Sequence, residues 1–275
     1  MKENHTESLP DYERPPVIEV VYGFQFKPLP KFKSADVGLF WLGIRNDYPE
    51  YLEMPPITPS IEQFDPFAQP VQPQIEVLSM PPLPRIFFSD PSGNWVLQLQ
   101  KDRFLHNWRK VKDDDVYPRY PVVSQRFFDA WDKFIEFCRK EELGEPSINQ
   151  LELTYINHIP LVEVKVPLEG IETIFPDLRW RVKHSFLPNP ESLSWKTSFL
   201  LPKQQGRLHV SITYAFRRTD KSPVLLCELT ARGMPSEVEL SVFRKWFALS
   251  REWIVRGFAD LTSEKIQYDI WRRKK

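Results

Sequence analysis

The 275-residue sequence contains few cysteines and few glycines, and each shortage argues against a class of protein. Its two cysteines, Cys138 and Cys227, both fall within apolar patterns, which indicates buried free thiols in a reducing compartment. The disulfide framework of a small secreted protein is therefore not expected. The nine glycines are scattered, and no two are close enough to form the G-x-G turn of a phosphate-binding loop.

The sequence also lacks a net charge and a long hydrophobic run. Its 37 basic residues are balanced by 37 acidic ones, which argues against general electrostatic binding to nucleic acid or to anionic lipid, although a local basic patch stays open. No apolar stretch approaches the roughly 20 residues that cross a bilayer. The N-terminal residues are polar and charged, without the apolar core of a signal peptide. We therefore expect a cytoplasmic protein with no membrane partner, in which residues 1–14 form a flexible leader.

No catalytic motif is present in the sequence. It has no G-x-S-x-G turn around a nucleophile, no H-E-x-x-H metal motif and no C-x-x-C pair. The five histidines, His5, His106, His158, His184 and His209, do not have the spacing of metal ligands. We expect no metal and no cofactor. An enzyme remains an alternative only if its site is assembled in space from residues that are distant in sequence.

Proline and aromatic residues, in contrast, are abundant. The chain has 27 prolines, and aromatic residues make up 14% of it, so large rigid side chains are available for a thick core or for a binding surface. Nine of the prolines fall between residues 54 and 84, a stretch without glycine. Because proline lacks an amide donor and favours extended backbone, this stretch is predicted to be an ordered traverse or a polyproline-like loop.

An internal repeat is the most informative pattern in the sequence. Residues 18–22 (IEVVY) resemble residues 151–155 (LELTY), and both segments are predicted to be strands. Two later helical segments share one aromatic spacing at a constant offset. The equivalent pairs are Phe127 and Trp246, Phe128 and Phe247, Trp131 and Ser250, Phe134 and Trp253, and Ile135 and Ile254. A repeat longer than ~100 residues indicates a duplicated domain rather than a solenoid of short units.

The order of the predicted elements gives the fold class. Strands are predicted over residues 17–26, 85–89, 95–101, 103–111, 149–160, 193–201, 208–217 and 224–231, and helices over residues 34–52, 124–142 and 236–261. Short turns between consecutive strands favour an antiparallel sheet with helices on one face. We therefore predict an α+β fold of two pseudo-repeats, residues 15–145 and 146–275. Each pseudo-repeat contains a strand, a helix or irregular segment, three strands and a long helix, an order similar to the duplicated fold of TATA-binding protein. A helix-grip fold, with a curved sheet around a long C-terminal helix, is the alternative.

The densest group of polar and aromatic residues lies within one predicted strand, residues 103–111. Strand alternation places Arg103, Asn107 and Arg109 on one face and the aromatic residues on the other. If the aromatic face packs against helices, the first face presents two guanidinium groups and an amide, which fit a phosphate or a carboxylate. Arg119, in the Tyr-Pro-Arg-Tyr segment that follows, joins this candidate surface. The alternative is a surface network in which the arginines pair with Asp102, Glu19 or Glu152.

The same residues carry a resemblance to a known family. The segments LQLQ (97–100), DRF (102–104), NWRK (107–110), YPRY (117–120), ELTYIN (152–157) and EWI (252–254), in this order, resemble a sporadically distributed family of uncharacterised bacterial proteins. The resemblance covers nearly the whole chain, but the family has no activity that it could imply. Its scattered occurrence suits genes that move between bacteria, including those of toxin–antitoxin and anti-phage systems. Asn157, which ends one of these segments, joins the candidate binding residues.

Three hypotheses for function follow from these patterns. In the first, the chain binds a protein partner, as a subunit of a toxin–antitoxin or anti-phage defence system, because an aromatic-rich sheet body carries no catalytic motif. In the second, it binds nucleic acid or a nucleotide through Arg103, Asn107 and Arg109. In the third, it is an enzyme whose site is assembled in space. Association into a homo-oligomer is open in all three.

Overall fold

One antiparallel sheet with helices packed on it makes up the protein, in a computed structural model that describes residues 8–64, 83–179, 186–217 and 219–274. The strands in these ranges are β1 (Val17–Phe26), β2 (Glu50–Met54), β3 (Arg85–Ser89), β4 (Trp95–Gln100), β5 (Arg103–Arg109), β6 (Ile148–Pro160), β7 (Ser194–Leu200), β8 (Arg207–Phe216) and β9 (Pro223–Gly233). The helices are α1 (Ser34–Ile44), α2 (Tyr120–Lys140), α3 (Leu161–Val164), α4 (Leu240–Leu261) and α5 (Glu264–Asp269), with 3-10 turns at Leu168–Thr173 and Pro202–Gln204. The α+β class with an antiparallel sheet is confirmed.

The two strands that begin the predicted pseudo-repeats are neighbours at the middle of the sheet. The described strands run in the order β2-β3-β4-β5-β1-β6-β9-β8-β7, and every neighbouring pair is antiparallel. Near the centre of the β1–β6 pair, Val21 lies opposite Thr154, with Val20 opposite Tyr155 and Tyr22 opposite Leu153. Strands β5 and β9 flank this central pair. Each end of the described sheet is an edge strand, β2 or β7.

Aromatic side chains fill the space between the sheet and the two long helices. Phe24 of β1 lies with its ring centroid 4.8 Å from that of Phe127 in α2 and 5.8 Å from that of Phe247 in α4. Phe127 and Phe247 also contact each other, at 5.6 Å between centroids. Both helices therefore pack on one face of the sheet, which we call the helix face. The apolar residues of α2 recur every three or four positions, which is the spacing that turns one side of a helix towards a core.

The opposite face of the sheet, which we call the polar face, carries amide, hydroxyl and charged side chains. On β4 and β5 it is formed by the residues that alternate with the aromatic ones, including Gln98, Gln100, Arg103 and Asn107, all of them buried. Thr154 of β6 hydrogen-bonds Thr230 of β9 on the same face, at 2.8 Å. Burial of polar groups is unfavourable unless they are hydrogen-bonded, so this face depends on pairing between its own side chains and on the chain that crosses it.

The N-terminal and C-terminal segments are joined by backbone hydrogen bonds. The amide of Glu13 donates to the carbonyl of Arg272 at 3.1 Å, and the amide of Arg14 donates to the carbonyl of Trp271 at 3.0 Å. The ring of Tyr12 lies about equally close to Phe258 and Trp271, at 6.2 and 6.1 Å between centroids. These contacts differ from the flexible leader predicted for residues 1–14, since residues 11–14 are held in place; residues 1–7 lie outside the described residues.

Some predicted boundaries differ from the observed ones for identifiable reasons. The helix predicted over residues 34–52 ends at Ile44, because Pro49 cannot continue it, and residues 50–54 instead pair with β3 as the edge strand β2. The long helix predicted from residue 124 already begins at Tyr120, with Pro121 in its first turn, where a missing amide costs nothing. The helix predicted over residues 236–261 begins later, at Leu240, with Glu239 as its N-cap residue.

Two further expectations concern the thiols and the membrane. Cys138 and Cys227 are both free and buried. Burial raises the pKa of the Cys138 thiol to about 12, so this side chain behaves as a small apolar group rather than as a nucleophile. Among the helices of the described ranges, none combines the length and apolarity that crossing a membrane would require.

Candidate functional site

An extended segment crosses the polar face near one end of the strands. Residues 55–64, which we call the strap, follow directly after β2 and have no regular secondary structure. Three of their ten residues are prolines, so the strap lacks amide donors at these positions and its backbone is biased towards extended conformations. It does not pair with a strand. Side chains of the sheet bind its backbone instead.

The first of these side chains is Gln100, the last residue of β4. Its Oε1 accepts a hydrogen bond from the amide of Ile57 at 2.8 Å, and its Nε2 donates to the carbonyl of the same residue at 2.9 Å. This two-point pairing is the one that a neighbouring strand would offer, because a glutamine side chain carries the same donor and acceptor as a peptide group. Asp102 accepts a second hydrogen bond from Nε2 of Gln100, at 2.8 Å, and so fixes the orientation of the amide.

Two further glutamines continue the pattern across the central strands. Oε1 of Gln25, on β1, accepts from the amide of Ser60 at 3.2 Å. Oε1 of Gln150, on β6, accepts from the amide of Glu62 at 2.8 Å, and Nε2 of Gln150 donates to the carbonyl of Ser60. We call Gln25, Gln100 and Gln150 the glutamine ladder. It binds three residues of the strap through their backbone, from β4 across β1 to β6.

Beyond the ladder, a cluster of basic side chains holds the carboxylate of Glu62. Nη1 of Arg207 lies 2.8 Å from Oε2, Nε2 of His209 lies 2.5 Å from Oε1, and Nη1 of Arg232 lies 3.9 Å from Oε1. Burial alone would raise the pKa of this carboxyl, but the hydrogen bonds from His209 and Arg207 and the charge of Arg232 outweigh it, so the pKa lies below its ordinary value. Glu62 is therefore ionised at neutral pH. Its side chain is only 9% exposed, which makes it the anchor of the strap.

Arg103, the first predicted site residue, lies beneath the strap. Its Nη2 donates to Oε1 of Gln25 at 2.6 Å and to the carbonyl of Thr58 at 3.4 Å. Burial is the main cause of a lowered pKa at this guanidinium, which nevertheless remains far above neutral pH. The charge of Arg103 thus contributes to binding a carbonyl of the strap and to orienting one member of the glutamine ladder.

Asn107 and Arg109 lie on the same face, as alternation predicts; both groups of the Asn107 amide are hydrogen-bonded, and so is one nitrogen of Arg109. Nδ2 of Asn107 donates to Oε1 of Glu19 at 2.5 Å, and its Oδ1 accepts from Gln98 at 2.9 Å. Nε of Arg109 donates to the carbonyl of Gly93 at 2.8 Å. Burial raises the pKa of the Glu19 carboxyl, while Asn107 and Arg109 lower it. These residues form an internal network of the polar face.

Arg119 and Asn157 lie away from the polar face, in a cleft on the helix side of the sheet. Arg119 precedes α2 and donates to Oδ1 of Asp11 at 2.7 Å and to the carbonyl of Tyr12 at 2.9 Å. Asn157 is on β6 and donates to the carbonyl of Cys227 at 3.2 Å. Both residues line the cleft. The structure therefore separates the five predicted residues into two places rather than one surface.

The glutamine ladder and Glu62 were not among the residues predicted from the sequence. A glutamine on a strand has the same pattern as any solvated polar residue, and the sequence does not show which residues the strap would meet. The nearest signal was the alternation of Gln98 and Gln100 with the apolar residues Leu97 and Leu99 on β4. For the strap, the sequence signal was the proline-rich stretch over residues 54–84, which was predicted to be an ordered traverse or a polyproline-like loop. Residues 65–82 of this stretch lie outside the described residues.

The described parts of the chain contain no cluster of metal ligands, and the buried His106 is not suited to proton transfer. Within them, no three His, Cys, Asp or Glu side chains are grouped to hold a metal ion. His106 is fully buried on the helix face, and Nε2 of its ring lies 2.8 Å from the hydroxyl of Tyr48. Burial, with a smaller contribution from the charge of Arg126, lowers its pKa to about 3, so that this ring is neutral and unsuited to proton transfer near pH 7.

Comparison of the chain with protein-family models, with curated proteins and with solved structures finds no match in any of the three. Evidence about the function therefore comes from the geometry of the polar face and of the cleft.

Proposed function

We propose that the protein is a protein-interaction module that binds an extended, acidic segment of a partner protein across the polar face of its sheet. In the free chain the strap occupies this site as an internal ligand. The observation that carries the proposal is the glutamine ladder, which holds Ile57, Ser60 and Glu62 by their peptide groups. Because backbone is common to all proteins, such a ladder accepts another extended chain in the same position.

The chemistry of the site favours an acidic peptide over other ligands. Side-chain amides match peptide groups in both donor and acceptor, whereas a phosphate offers acceptors only. Specificity comes from the basic cluster of Arg207, His209 and Arg232, which takes one carboxylate. A partner segment that binds here therefore needs an aspartate or glutamate where the strap has Glu62. It also gains from prolines that keep it extended before it binds.

Competition with the strap would make binding conditional. A segment tethered to its own site has an effective concentration in the millimolar range, so a free peptide of equal affinity displaces it poorly. A partner displaces the strap if it contacts more of the surface than the strap does, or if another event releases the strap. The strap thus gives the module a closed state and a partner-bound state.

Binding of nucleic acid through Arg103, Asn107 and Arg109 has less support. Arg103 lies beneath the strap and donates to it and to Gln25, the amide of Asn107 bonds both Glu19 and Gln98, and Arg109 uses its Nε to bond a carbonyl, so the three residues are not arranged as a free phosphate site. The balance of charge in the whole chain gives no added attraction to a polyanion.

We also propose that the sheet arose by duplication of one half, in a form similar to TATA-binding protein. Equating residues 18–22 with residues 151–155 makes Val20 equivalent to Leu153 and Tyr22 equivalent to Tyr155. In the observed register Val20 lies opposite Tyr155 and Tyr22 lies opposite Leu153, so with this equivalence the axis that relates the halves falls between these two pairs. The axis would pass through the pair of Val21 and Thr154. The order of the flanking strands supports the same symmetry.

The biological setting proposed for the module rests on the sequence segments alone. They resemble segments of the sporadically distributed bacterial family, and on this resemblance we propose a cytoplasmic subunit of a toxin–antitoxin or anti-phage system. An interaction module whose site is closed by an internal segment fits the role of a partner or inhibitor subunit, because such a subunit acts by binding.

The proposal is tested by supplying the strap as a separate peptide. Residues 55–64 of the chain are replaced by a glycine–serine linker of the same length, and a labelled peptide PPITPSIEQF is titrated into this variant while fluorescence anisotropy is measured. We expect saturable one-to-one binding. A Glu62→Gln peptide is expected to bind about tenfold or more weakly, because hydrogen bonds to a charged group contribute roughly 1.5–3 kcal/mol.

A peptide of the same composition in scrambled order is the control for charge and hydrophobicity. Circular dichroism and a cooperative thermal transition establish that the linker variant is folded. If the folded variant binds the native and scrambled peptides equally, or binds neither, the polar face does not recognise an extended segment and the proposal is wrong.

A further inference from the structure

A second candidate site is the cleft on the helix side of the sheet. The strap lies on the opposite side, across the polar face. Residues 10–17, the residues that precede α2 and the middle of α4 enclose a cavity of about 90 Å³. This is roughly the volume of three molecules of liquid water at about 30 Å³ each. Its polar lining comes from Asp11, Tyr117, Arg119, Tyr120, Tyr155, Asn157 and Arg251.

Tyr117 and Tyr155 carry two hydroxyl hydrogens, and the hydrogen bond between them uses only one. Oη of Tyr117 lies 3.0 Å from Oη of Tyr155, so one hydroxyl donates to the other. The accepting hydroxyl keeps its own hydrogen as a donor. Burial raises the pKa of Tyr117 to about 12 and that of Tyr155 well above its ordinary value, so both hydroxyls remain protonated at neutral pH. The pair therefore presents a buried donor that an acceptor in the cleft would satisfy.

The two arginines of the cleft differ in their pairing. The charge of Arg119 is neutralised by Asp11, at 2.7 Å. The guanidinium of Arg251 lies 4.5 Å from the ring centroid of Tyr120, and no salt bridge among residues 8–64, 83–179, 186–217 and 219–274 involves it. The cation–π contact orients this guanidinium without neutralising it. The cleft thus carries one uncompensated positive charge beside the tyrosine hydroxyls.

The remaining walls of the cleft are apolar. Tyr12, Ile254, Val255, Phe258 and the prolines of residues 10–16 contribute them. A ligand that fits has one anionic group for the guanidinium and the hydroxyl, and a short apolar body for these walls. The small volume favours a ligand of few heavy atoms.

We propose that this cleft binds a small aliphatic monocarboxylate. Its carboxylate would accept hydrogen bonds from Arg251, whose planar fork matches a carboxylate, and from the free hydroxyl hydrogen of the tyrosine pair. Its alkyl group would pack against Phe258 and Ile254. This site is separate from the polar face, so a negative result for the cleft would leave the peptide-binding proposal unchanged.

Ligand-detected NMR with propionate as the probe tests the proposal on the full chain. Saturation-transfer difference signals are measured at millimolar propionate, with propionamide at the same concentration as the neutral isostere and sodium chloride added to equal ionic strength. We expect the alkyl protons of propionate to receive saturation with half-saturation on the order of millimolar, as befits so few heavy atoms. Propionamide is expected to give a much weaker signal.

Two substitutions assign the signal to the cleft. Arg251→Gln removes the charge and is expected to weaken propionate binding at least tenfold, whereas Arg251→Lys keeps the charge and retains part of the affinity. Tyr117→Phe removes one hydroxyl with little change of shape and is expected to weaken binding several-fold. Thermal melting of each variant verifies its fold. Equal binding of propionate and propionamide, or propionate binding unchanged in Arg251→Gln and Tyr117→Phe, would overturn the proposal.

Discussion

Substitution of Phe127 by alanine is expected to lower the free energy of unfolding by about 3–5 kcal/mol, as for other fully buried phenylalanines. Phe127 has no exposed surface, and its ring lies 4.8 Å from Phe24 of the sheet, 5.1 Å from Phe128 of its own helix and 5.6 Å from Phe247 of the other long helix. It therefore links the sheet, α2 and α4. Truncation leaves a cavity that three elements surround and cannot easily close.

The measurement is urea unfolding of the wild type and the variant, followed by tryptophan fluorescence. Phe199→Ala is the matched control, because Phe199 lies on the edge strand β7 and is 43% exposed; its truncation is expected to cost less than about 1 kcal/mol. A single transition shifted to lower urea in Phe127→Ala is expected, since the residue joins both halves of the chain. Similar costs for the two variants would mean that the aromatic layer is not the core.

The second large effect is a loss of stability in mild acid that depends on His106. In the folded chain burial holds the pKa of this ring at about 3, against about 6.5 in an unfolded chain. Below pH 6.5 the unfolded state therefore binds a proton that the folded state does not bind, and the free energy of unfolding falls as the pH is lowered towards 3. At 1.36 kcal/mol per pKa unit, the loss between pH 7 and pH 5 is about 2 kcal/mol.

The surroundings of His106 explain why its imidazole stays unprotonated in the folded chain. An imidazolium needs an acceptor at each nitrogen. Nε2 lies 2.8 Å from the hydroxyl of Tyr48, whereas Nδ1 is buried without a hydrogen-bond partner among the described residues. The positive charge of Arg126 lowers the pKa further, and Asp90 offsets only part of this. The ring is stacked on Trp95 at 5.6 Å between centroids.

Urea unfolding at pH 7 and pH 5 checks this prediction in the wild type and in His106→Gln, whose side-chain amide retains a partner for Tyr48. The variant is expected to lose most of the difference between the two pH values. His158→Gln is the control: its pKa is also lowered, by burial and Arg217, but the ring is less deeply buried, and this variant is expected to keep most of the pH dependence. An unchanged pH dependence in His106→Gln would show that the ring is not held neutral by the fold.

Local patterns were sufficient to predict eight of the nine described strands and the two faces of the sheet, but not β2, which was predicted as part of a helix. Alternation on β5 assigned Phe104 and Trp108 to the helices and Arg103 and Asn107 to the other face, because a strand turns successive side chains to opposite sides. The aromatic spacing of α2 and α4 predicted two helices on a common core for a similar reason. Boundaries were less accurate at Pro49 and Pro121, where the chain context decides whether a proline ends a helix or begins one.

The candidate site could not be predicted in the same way, because it depends on contacts between distant parts of the chain. Gln100 meets Ile57, Gln150 meets Glu62, and Arg207 meets Glu62 only after the sheet has formed. No periodicity connects a proline-rich segment to the ends of particular strands. Arg119 and Asn157 illustrate the opposite problem: the sequence grouped them with Arg103, whereas the fold places them on the other side of the sheet.

Hydrogen exchange of the strap amides, followed residue by residue by NMR in the intact chain, most directly tests whether the polar face binds backbone. The amides of Ile57, Ser60 and Glu62 each donate to a glutamine of the ladder, whereas in the described part of the chain those of Thr58 and Ile61 donate to nothing. We predict slowed exchange at the first three and fast exchange at the other two, with Gln25→Ala releasing Ser60. Equally fast exchange at all five amides would contradict the proposed binding face.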